Sequence, residues 1–362
     1  MPPTALDHSP SRRTRLAGLL FYCILALALP AALALAEPVP FDDGDSLETI
    51  REKIAQNGYH FTVEENWVTR LPKAEREAMR SRGARGMGAR AVRAMAAADN
   101  ALAVRDALPA AFDWRNVGGK SYLGPVKDQG TCGACYAFAA AAVAEGVYSV
   151  ATRRTGAAVP DFSEQYVAFC LGTHGPYQSH FDGCGGADYD YAELTALTVE
   201  GILAEAALPY SGRDNQTCPQ SLAGSIIFSG WGRVGCLDTA AIKSAILTHG
   251  PVDVAVYVSS AFDAYKGGVY QDSLTSCPAP YGQGCAYTET NHAVALVGWN
   301  DGDATTPGHF ILRNSWGTGW GEAGYMRIAY RAARVACSAT YLAYPAAPAA
   351  QPALPALPLL LQ

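Results

Sequence analysis

Two cysteines separated by two residues lie in the run Gln129-Gly130-Thr131-Cys132-Gly133-Ala134-Cys135-Tyr136-Ala137-Phe138. From Cys135 onward the chain is rich in alanine, with Phe138, Ala142, Val143 and Val147 on one side, which predicts a buried helix reaching about Arg153. A thiol at the head of a helix faces the positive end of the macrodipole, and this favours the thiolate. That field supplies at most about 2 kcal/mol. Each unit by which a thiol is lowered from about 8.5 takes about 1.4 kcal/mol, so a larger activation needs a neighbouring cation. His292, in Asn291-His292-Ala293-Val294, is the candidate, and the expected ground state is a thiolate–imidazolium pair. Such a pair performs acyl transfer: the thiolate attacks a carbonyl, the imidazolium protonates the leaving amine, and water hydrolyses the acyl-enzyme.

Taken alone, Cys132 and Cys135 could instead be a redox pair, as in an exported thiol–disulfide oxidoreductase. That reading leaves the segments downstream unexplained. The Cys and His spacings match no zinc pattern, so no metal is expected.

The run Cys132-Gly133-Ala134-Cys135-Tyr136 fits the signature C-G-[SA]-C-[WY] of papain-like cysteine peptidases. The chain resembles that family again at Asn291-His292-Ala293-Val294 with Val297-Gly298-Trp299, and at Arg313-Asn314-Ser315-Trp316-Gly317 with Trp320-Gly321. Phe162-Ser163-Glu164-Gln165 and Gly183-Cys184-Gly185-Gly186 are similar to its helix and glycine-rich motifs. The likeness runs in family order over about residues 108–345. It implies an α+β, two-lobed papain-like fold, with a helical N-terminal lobe, a β-rich C-terminal lobe and the active site in the cleft. It implies Cys135, His292, Asn314 and Gln129 as catalytic residues, and Gly133, Gly186, Trp316 and Leu342 as substrate-binding ones. By the same resemblance Asn314 would accept the second imidazole N–H, Trp316 would shield that bond from water, and the Gln129 side chain with the Cys135 N–H would stabilise the oxyanion, where one donor is worth about 100- to 1,000-fold in turnover. Disulfides carried over by position are Cys132–Cys184, Cys170–Cys218 and Cys285–Cys337, which leaves Cys236 for Cys277. No cofactor is implied. The sequence departs from the pattern at Tyr136, where Trp is usual, and at Ala187, where Gly is frequent. It is also longer between Cys135 and His292, with the extra length expected near Gly172–Asp182 and Asp272–Gly284.

The elements that must position these groups are legible too. Asp161–Cys170 and Tyr189–Val199 read as helices, and Asp238–His249 as another, with Asp238 as cap and Gly250-Pro251 as stop. After it the period changes to two: Val252, Val254, Val256 and Val258 alternate, and Ala293–Trp299, His309–Leu312 and Tyr325–Ile328 read as further strands. Helices first and strands afterwards make an α+β chain with room for a cleft between the halves.

Upstream, Arg12, Arg13 and Arg15 precede an uncharged run, Leu16 to Ala36, ending in Ala34-Leu35-Ala36, the form of a cleaved export signal that leaves no stable membrane span. Residues 37–107 contain no cysteine; Leu47–Gln56 reads as a short amphipathic helix, and residues 81–104 as an exposed linker. This is the pattern of a pro-segment that would act as the enzyme's own inhibitor. Acidic groups such as Glu64, Glu65 and Glu75 are candidates for making its docking acid-sensitive. Of ten cysteines, Cys23 lies in the leader, and the other nine all follow residue 131. Eight can pair in an oxidising compartment, and one thiol is left for chemistry. A net charge of −6 without a basic stripe argues against nucleic-acid binding.

The expected organisation is therefore signal 1–36, pro-segment and linker 37–107, catalytic domain 108–344, and a Pro/Ala/Leu tail at 345–362. The expected product is an exported enzyme, secreted or periplasmic, or lysosomal in a eukaryote. It would act as a monomer on proteins or peptides, as an endopeptidase or as an exopeptidase of the same family. The resemblance places Leu342, the fifth residue after Cys337, at the floor of the pocket for the second residue before the cut, where it would offer no partner to a buried charge. Leu, Val or Phe is thus expected there and Arg is expected to be used poorly, because an unpaired buried cation is costly and a methylene of misfit costs only about 1–3 kcal/mol. Leu342→Glu should raise the kcat/KM of Arg-containing peptides relative to Leu-containing ones; a wild-type preference for Arg at that position would contradict the assignment.

Overall fold

The computed structural model describes residues 37–80, 107–175, 177–178, 180–187, 192–219, 225–277 and 290–345. The signal, the linker from 81 and the tail beyond 345 lie outside the described residues, as does Cys285.

The first segment is built from α1 (Leu47–Gln56), β1 (Thr62–Val63), α2 (Trp67–Arg70) and α3 (Lys73–Ala78). Ser46 caps α1 by accepting from the Thr49 N–H, and Ile50 and Ile54 form its buried face. Asn66 caps α2 in a reciprocal box with Thr69. Phe41, Ile50, Ile54, Phe61, Val63, Val68 and Met79 all join the apolar core of the sheet described below. This segment cannot bury those side chains alone; it borrows the core of the domain it covers.

The catalytic region begins with β2 (Ala111–Asp113), followed by α4 (Cys135–Thr152) and α5 (Ala192–Val199). Then come β3 (Gly230–Arg233), α6 (Thr239–His249), β4 (Val252–Val256), α7 (Ser260–Asp263), β5 (Tyr265–Gly267) and β6 (Val269–Tyr270). The chain ends its ordered course with β7 (His292–Asn300), β8 (His309–Arg313), β9 (Tyr325–Ala329) and β10 (Ala339–Ala343). The strands form one sheet in the order β3-β10-β4-β7-β8-β9-β6, with β2 added against β7. All its pairs are antiparallel except β6 with β9. The pro-segment adds β1 to β5, pairing Thr62 with Gly267.

Two apolar clusters correspond to the two lobes. One gathers α4, α5 and the 166–173 helix; the other gathers the sheet, α6 and α7. The expected α+β arrangement is thus present, and most of the elements fall where the sequence puts them. Asp238 caps α6 by accepting from the Ala241 N–H, and Gly250 ends it at φ 122°. Two elements differ. Tyr166–Thr173 is a π-helix rather than the continuation of an α-helix, a change of winding that apolar spacing does not report. In β4 every residue is buried, including Asp253 and Ala255, because the strand lies inside the sheet with both faces covered.

The disulfides Cys132–Cys184 and Cys170–Cys218 are present. Cys337 bonds Cys277, with Cα atoms 5.5 Å apart, so the pairings Cys285–Cys337 and Cys236–Cys277 are overturned. The loop after β6 is tied alongside residues 333–334: Ala333 N–H donates to Asp272 Oδ1 at 2.9 Å and Arg334 N–H donates to the Leu274 carbonyl at 3.0 Å. This loop delivers Cys277 to Cys337. Cys236 is disulfide-bonded as well.

A buried ion cluster joins the lobes. Lys127 Nζ lies 3.1 Å from Glu145, 2.7 Å from Glu164 and 2.6 Å from Asp161, and Arg313 of β8 lies 3.7 Å from Glu145. Burial opposes the ammonium charge, but Glu145 and Glu164 outweigh it and raise Lys127 above its ordinary range. Burial pushes the Glu164 carboxyl upward, with Lys127 opposing. Removing the shared cation leaves carboxylates buried without it, which costs about 3–5 kcal/mol. Lys127→Met should therefore lower unfolding free energy by about that amount in denaturant titration; a change below about 1 kcal/mol would show that the cluster is not holding the lobes.

Candidate active site

Cys135 is the first residue of α4 and is fully buried. Its thiol is outside the disulfides. No side chain caps α4, and the first N–H groups of any helix point beyond its own hydrogen-bond ladder. The helix start is held by the Cys132–Cys184 bond and by Tyr136, whose hydroxyl donates to the Gly183 carbonyl at 2.9 Å. Tyrosine in place of tryptophan thus anchors the glycine-rich turn.

His292 begins β7, against which α4 packs. Its Nε2 is 2.8 Å from Asn314 Oδ1, which also accepts from the Ser315 N–H at 2.8 Å. Trp316, fully buried, covers the ring at 4.8 Å between centroids. An oxygen acceptor at Nε2 makes that nitrogen the donor, so the neutral ring keeps its lone pair on Nδ1. Nδ1 is buried and makes no hydrogen bond among the described residues.

Gln129 is buried and oriented by neighbours on both sides. Ser315 Oγ donates to Gln129 Oε1 at 2.6 Å, and the Gln129 N–H donates to the Ser315 carbonyl at 2.9 Å. The sequence reading gave Ser315 no role, although it stands inside the asparagine motif; only the register across the cleft reveals it.

The Gln129 amide is already engaged. Its Nε2 donates to the Met79 carbonyl at 2.6 Å and to the Cys132 carbonyl at 2.8 Å. A Cβ on Gly133 would stand 2.7 Å from the Ala78 carbonyl and 2.6 Å from that of Cys184, so only glycine lets the pro-segment pass this close. Met79 is fully buried, Trp67 Nε1–H donates to the Trp316 carbonyl at 2.9 Å, and Arg80 pairs with the buried Asp263. Residues 66–80 therefore line the cleft from Trp316 to Gly133. Gly186 follows the turn fixed by Cys184, at φ 91°, and its carbonyl accepts from the Asp182 N–H. Leu342 of β10 is fully buried in the apolar cluster that also holds Cys135.

Burial, with the Arg80 guanidinium adding to it and the Asn314 bond and Asp263 opposing, brings His292 down to about 4, so its surroundings oppose the charged ring of the expected thiolate–imidazolium pair. The expected acid sensitivity through Glu64, Glu65 and Glu75 is also poorly placed. The Glu64–Lys266 and Glu65–Arg70 pairs are exposed, and such pairs contribute little.

A helix-headed thiol, an asparagine-held imidazole and a buried glutamine amide are the groups that the sequence pattern assigns to a cysteine peptidase. Residues 108–346 match the papain family of cysteine proteases, and the chain belongs to that family. It is 36% identical over 223 residues to cathepsin K of Gallus gallus, covering 61% of this chain and 59% of that protein. It is 34% identical over 223 residues to a cathepsin L-like proteinase of Fasciola hepatica, covering 62% and 61%. The matched region thus spans about three-fifths of these relatives' lengths. The structure of digestive procathepsin L2 proteinase from Tenebrio molitor larval midgut superposes with TM-score 0.63 at 27% identity, over 82% of this chain and 88% of that one.

Linkage gives the docked histidine a consequence. Removing the pro-segment removes Arg80 and part of the burial, so the His292 pKa rises from about 4 toward its ordinary 6.5. The undocked state then binds more protons, and docking weakens as pH falls below the undocked value. Imidazole NMR titration of a Cys135→Ala precursor should show His292 near 4, and higher once Arg80→Ala is added. An unchanged value would remove Arg80 from the account.

Proposed function

We propose that this chain is a latent, exported precursor whose trimmed form hydrolyses internal peptide bonds with Cys135 as nucleophile. His292 takes up the thiol proton through Nδ1 and delivers it to the leaving amine, Asn314 holds the ring, and Gln129 with the Cys135 N–H receives the oxyanion. The single observation that carries latency is the Met79 carbonyl on the Gln129 amide, since a pro-segment oxygen then sits where the oxyanion donor is needed. Trimming to about Leu108 would release it. Gly133 and Gly186 would align substrate main chain, with Leu342 at the floor of the specificity pocket.

The endopeptidase reading is supported by residues 66–80, because a cleft that admits this length of chain on the Trp316 side is not closed there by a carboxypeptidase-type block. The redox alternative is disfavoured because Cys132 is bonded to Cys184 and is not available to pair with Cys135. Export to the cell exterior, a periplasm or a lysosome is supported by the disulfides, which persist in oxidising compartments. We read the acting form as a monomer whose partners are protein substrates and its own pro-segment.

An epoxide inhibitor of thiol proteases should label Cys135 in the trimmed enzyme and not in the precursor. Trimmed enzyme should cut an internally quenched peptide blocked at both ends. Cys135→Ala should lower that rate by at least about 1,000-fold while leaving the fold intact by circular dichroism. Near wild-type cleavage by Cys135→Ala would sink the assignment, and cleavage confined to peptides with an open terminus would turn it into an exopeptidase.

A further inference from the structure

The cleft contains an acidic group that the peptide-bond chemistry does not use. Asp263 closes α7 and is 2% exposed. Its Oδ2 pairs with Arg80 Nη2 and, at 3.4 Å, with Arg76 Nε. Its Oδ1 is buried without a hydrogen-bond partner among the described residues. The backbone around it is held firmly: the Asp263 carbonyl accepts from Trp320 Nε1–H at 3.0 Å and from Asn66 Nδ2–H at 2.9 Å.

Both cations belong to the pro-segment. Trimming to about Leu108 removes them together and leaves the carboxylate facing the vacated cleft. Burial already holds the Asp263 carboxyl above its usual range even with Arg80 and Arg76 beside it. A carboxylate in such a place is strongly disfavoured unless another cation arrives.

The direction from which that cation comes follows from His292. Asp263 follows Phe262, whose ring meets Trp316 at 6.0 Å between centroids, and Trp316 covers His292 at 4.8 Å, so Asp263 lies on the His292 side of the cleft. That is the side of the leaving group, because His292 protonates the amine of the residue after the cut. We propose that Asp263 is a specificity-determining residue of the trimmed enzyme, binding the guanidinium or ammonium of an Arg or Lys immediately after the scissile bond, where Arg80 sits in the precursor. The inference rests on the peptidase reading above. Arg80 also indicates which cation fits better. Its Nη1 donates to the Val258 carbonyl at 3.2 Å while Nη2 meets Asp263, two acceptors that a planar guanidinium reaches at once and an ammonium does not. The Asp263 backbone carbonyl keeps its bond from Trp320 Nε1–H when residues 37–80 leave, so the carboxylate is held in place before substrate arrives.

The test uses trimmed enzyme and doubly blocked peptides with an apolar second residue before the cut, identical except for Arg, Leu or Glu after it. Wild type should favour Arg over Leu by about ten-fold or more in kcat/KM, with Glu the poorest. The Arg-to-Leu ratio should fall to about one in Asp263→Asn and survive in Asp263→Glu. Partitioning of the wild-type acyl-enzyme between water and added arginine amide or leucine amide reads the same site without any variant, and arginine amide should compete better. A wild-type ratio near one, or a preference for Arg that persists in Asp263→Asn, would overturn the proposal. A peptidyl aminocoumarin, which has no residue after the cut, separates the two readings. If wild type cleaves it but shows no preference for Arg, this proposal fails alone; if wild type cleaves nothing, the peptidase reading fails and takes the proposal with it.

Discussion

Burial of His292 is the constraint on which the rest of the site depends. An imidazole covered by Trp316 and bonded to Asn314 is held in one orientation and one tautomer, and its burial opposes a charge on the ring. A cysteine nucleophile needs the opposite, a charged ring beside a thiolate. Burial opposes that charge, and the Arg80 guanidinium adds to the opposition.

The surrounding fold serves that arrangement from both lobes. The helical lobe presents the head of α4, kept in position by Cys132–Cys184 and Tyr136. The sheet lobe presents His292 at the start of β7 and Asn314 just beyond β8, neighbours because β7 and β8 pair antiparallel. Lys127, Glu145, Glu164 and Arg313 bridge the lobes behind the site. Gln129 and Ser315 bridge them within it through reciprocal bonds. The pro-segment in turn is ordered by what it inhibits, since its apolar residues are buried only against the sheet lobe.

Much of this was legible from residue types and order. The helix headed by Cys135, the cap and stop of α6, the strands around His292 and Asn314, and the odd thiol among nine cysteines all follow from local rules. Capping, periodicity and pairing arithmetic act over a few residues or on composition alone. The segment motifs named the four chemical groups because each is embedded in a local pattern. The π-winding at 166–173 was not legible, because apolar spacing over two turns does not separate i→i+4 from i→i+5 bonding. The partner of Cys337 was not legible either, because it depends on where the loop after β6 is tied down, and that is decided by Asp272 and Leu274 meeting residues 333–334.

By itself the sequence determined the class of chemistry, the lobes and the existence of a cysteine-free segment ahead of them. Only the tertiary structure decided how that segment acts. Nothing local marks Met79, Arg80 or Asp263: a lone methionine, one of many arginines, and an aspartate at the end of a one-turn helix. Their roles arise from pairings across 50 residues for Met79 with Gln129 and 183 residues for Arg80 with Asp263. The charge state of His292 belongs to the same category. It is set by desolvation and by charges brought close through folding, and neither quantity exists until the chain has closed around the ring.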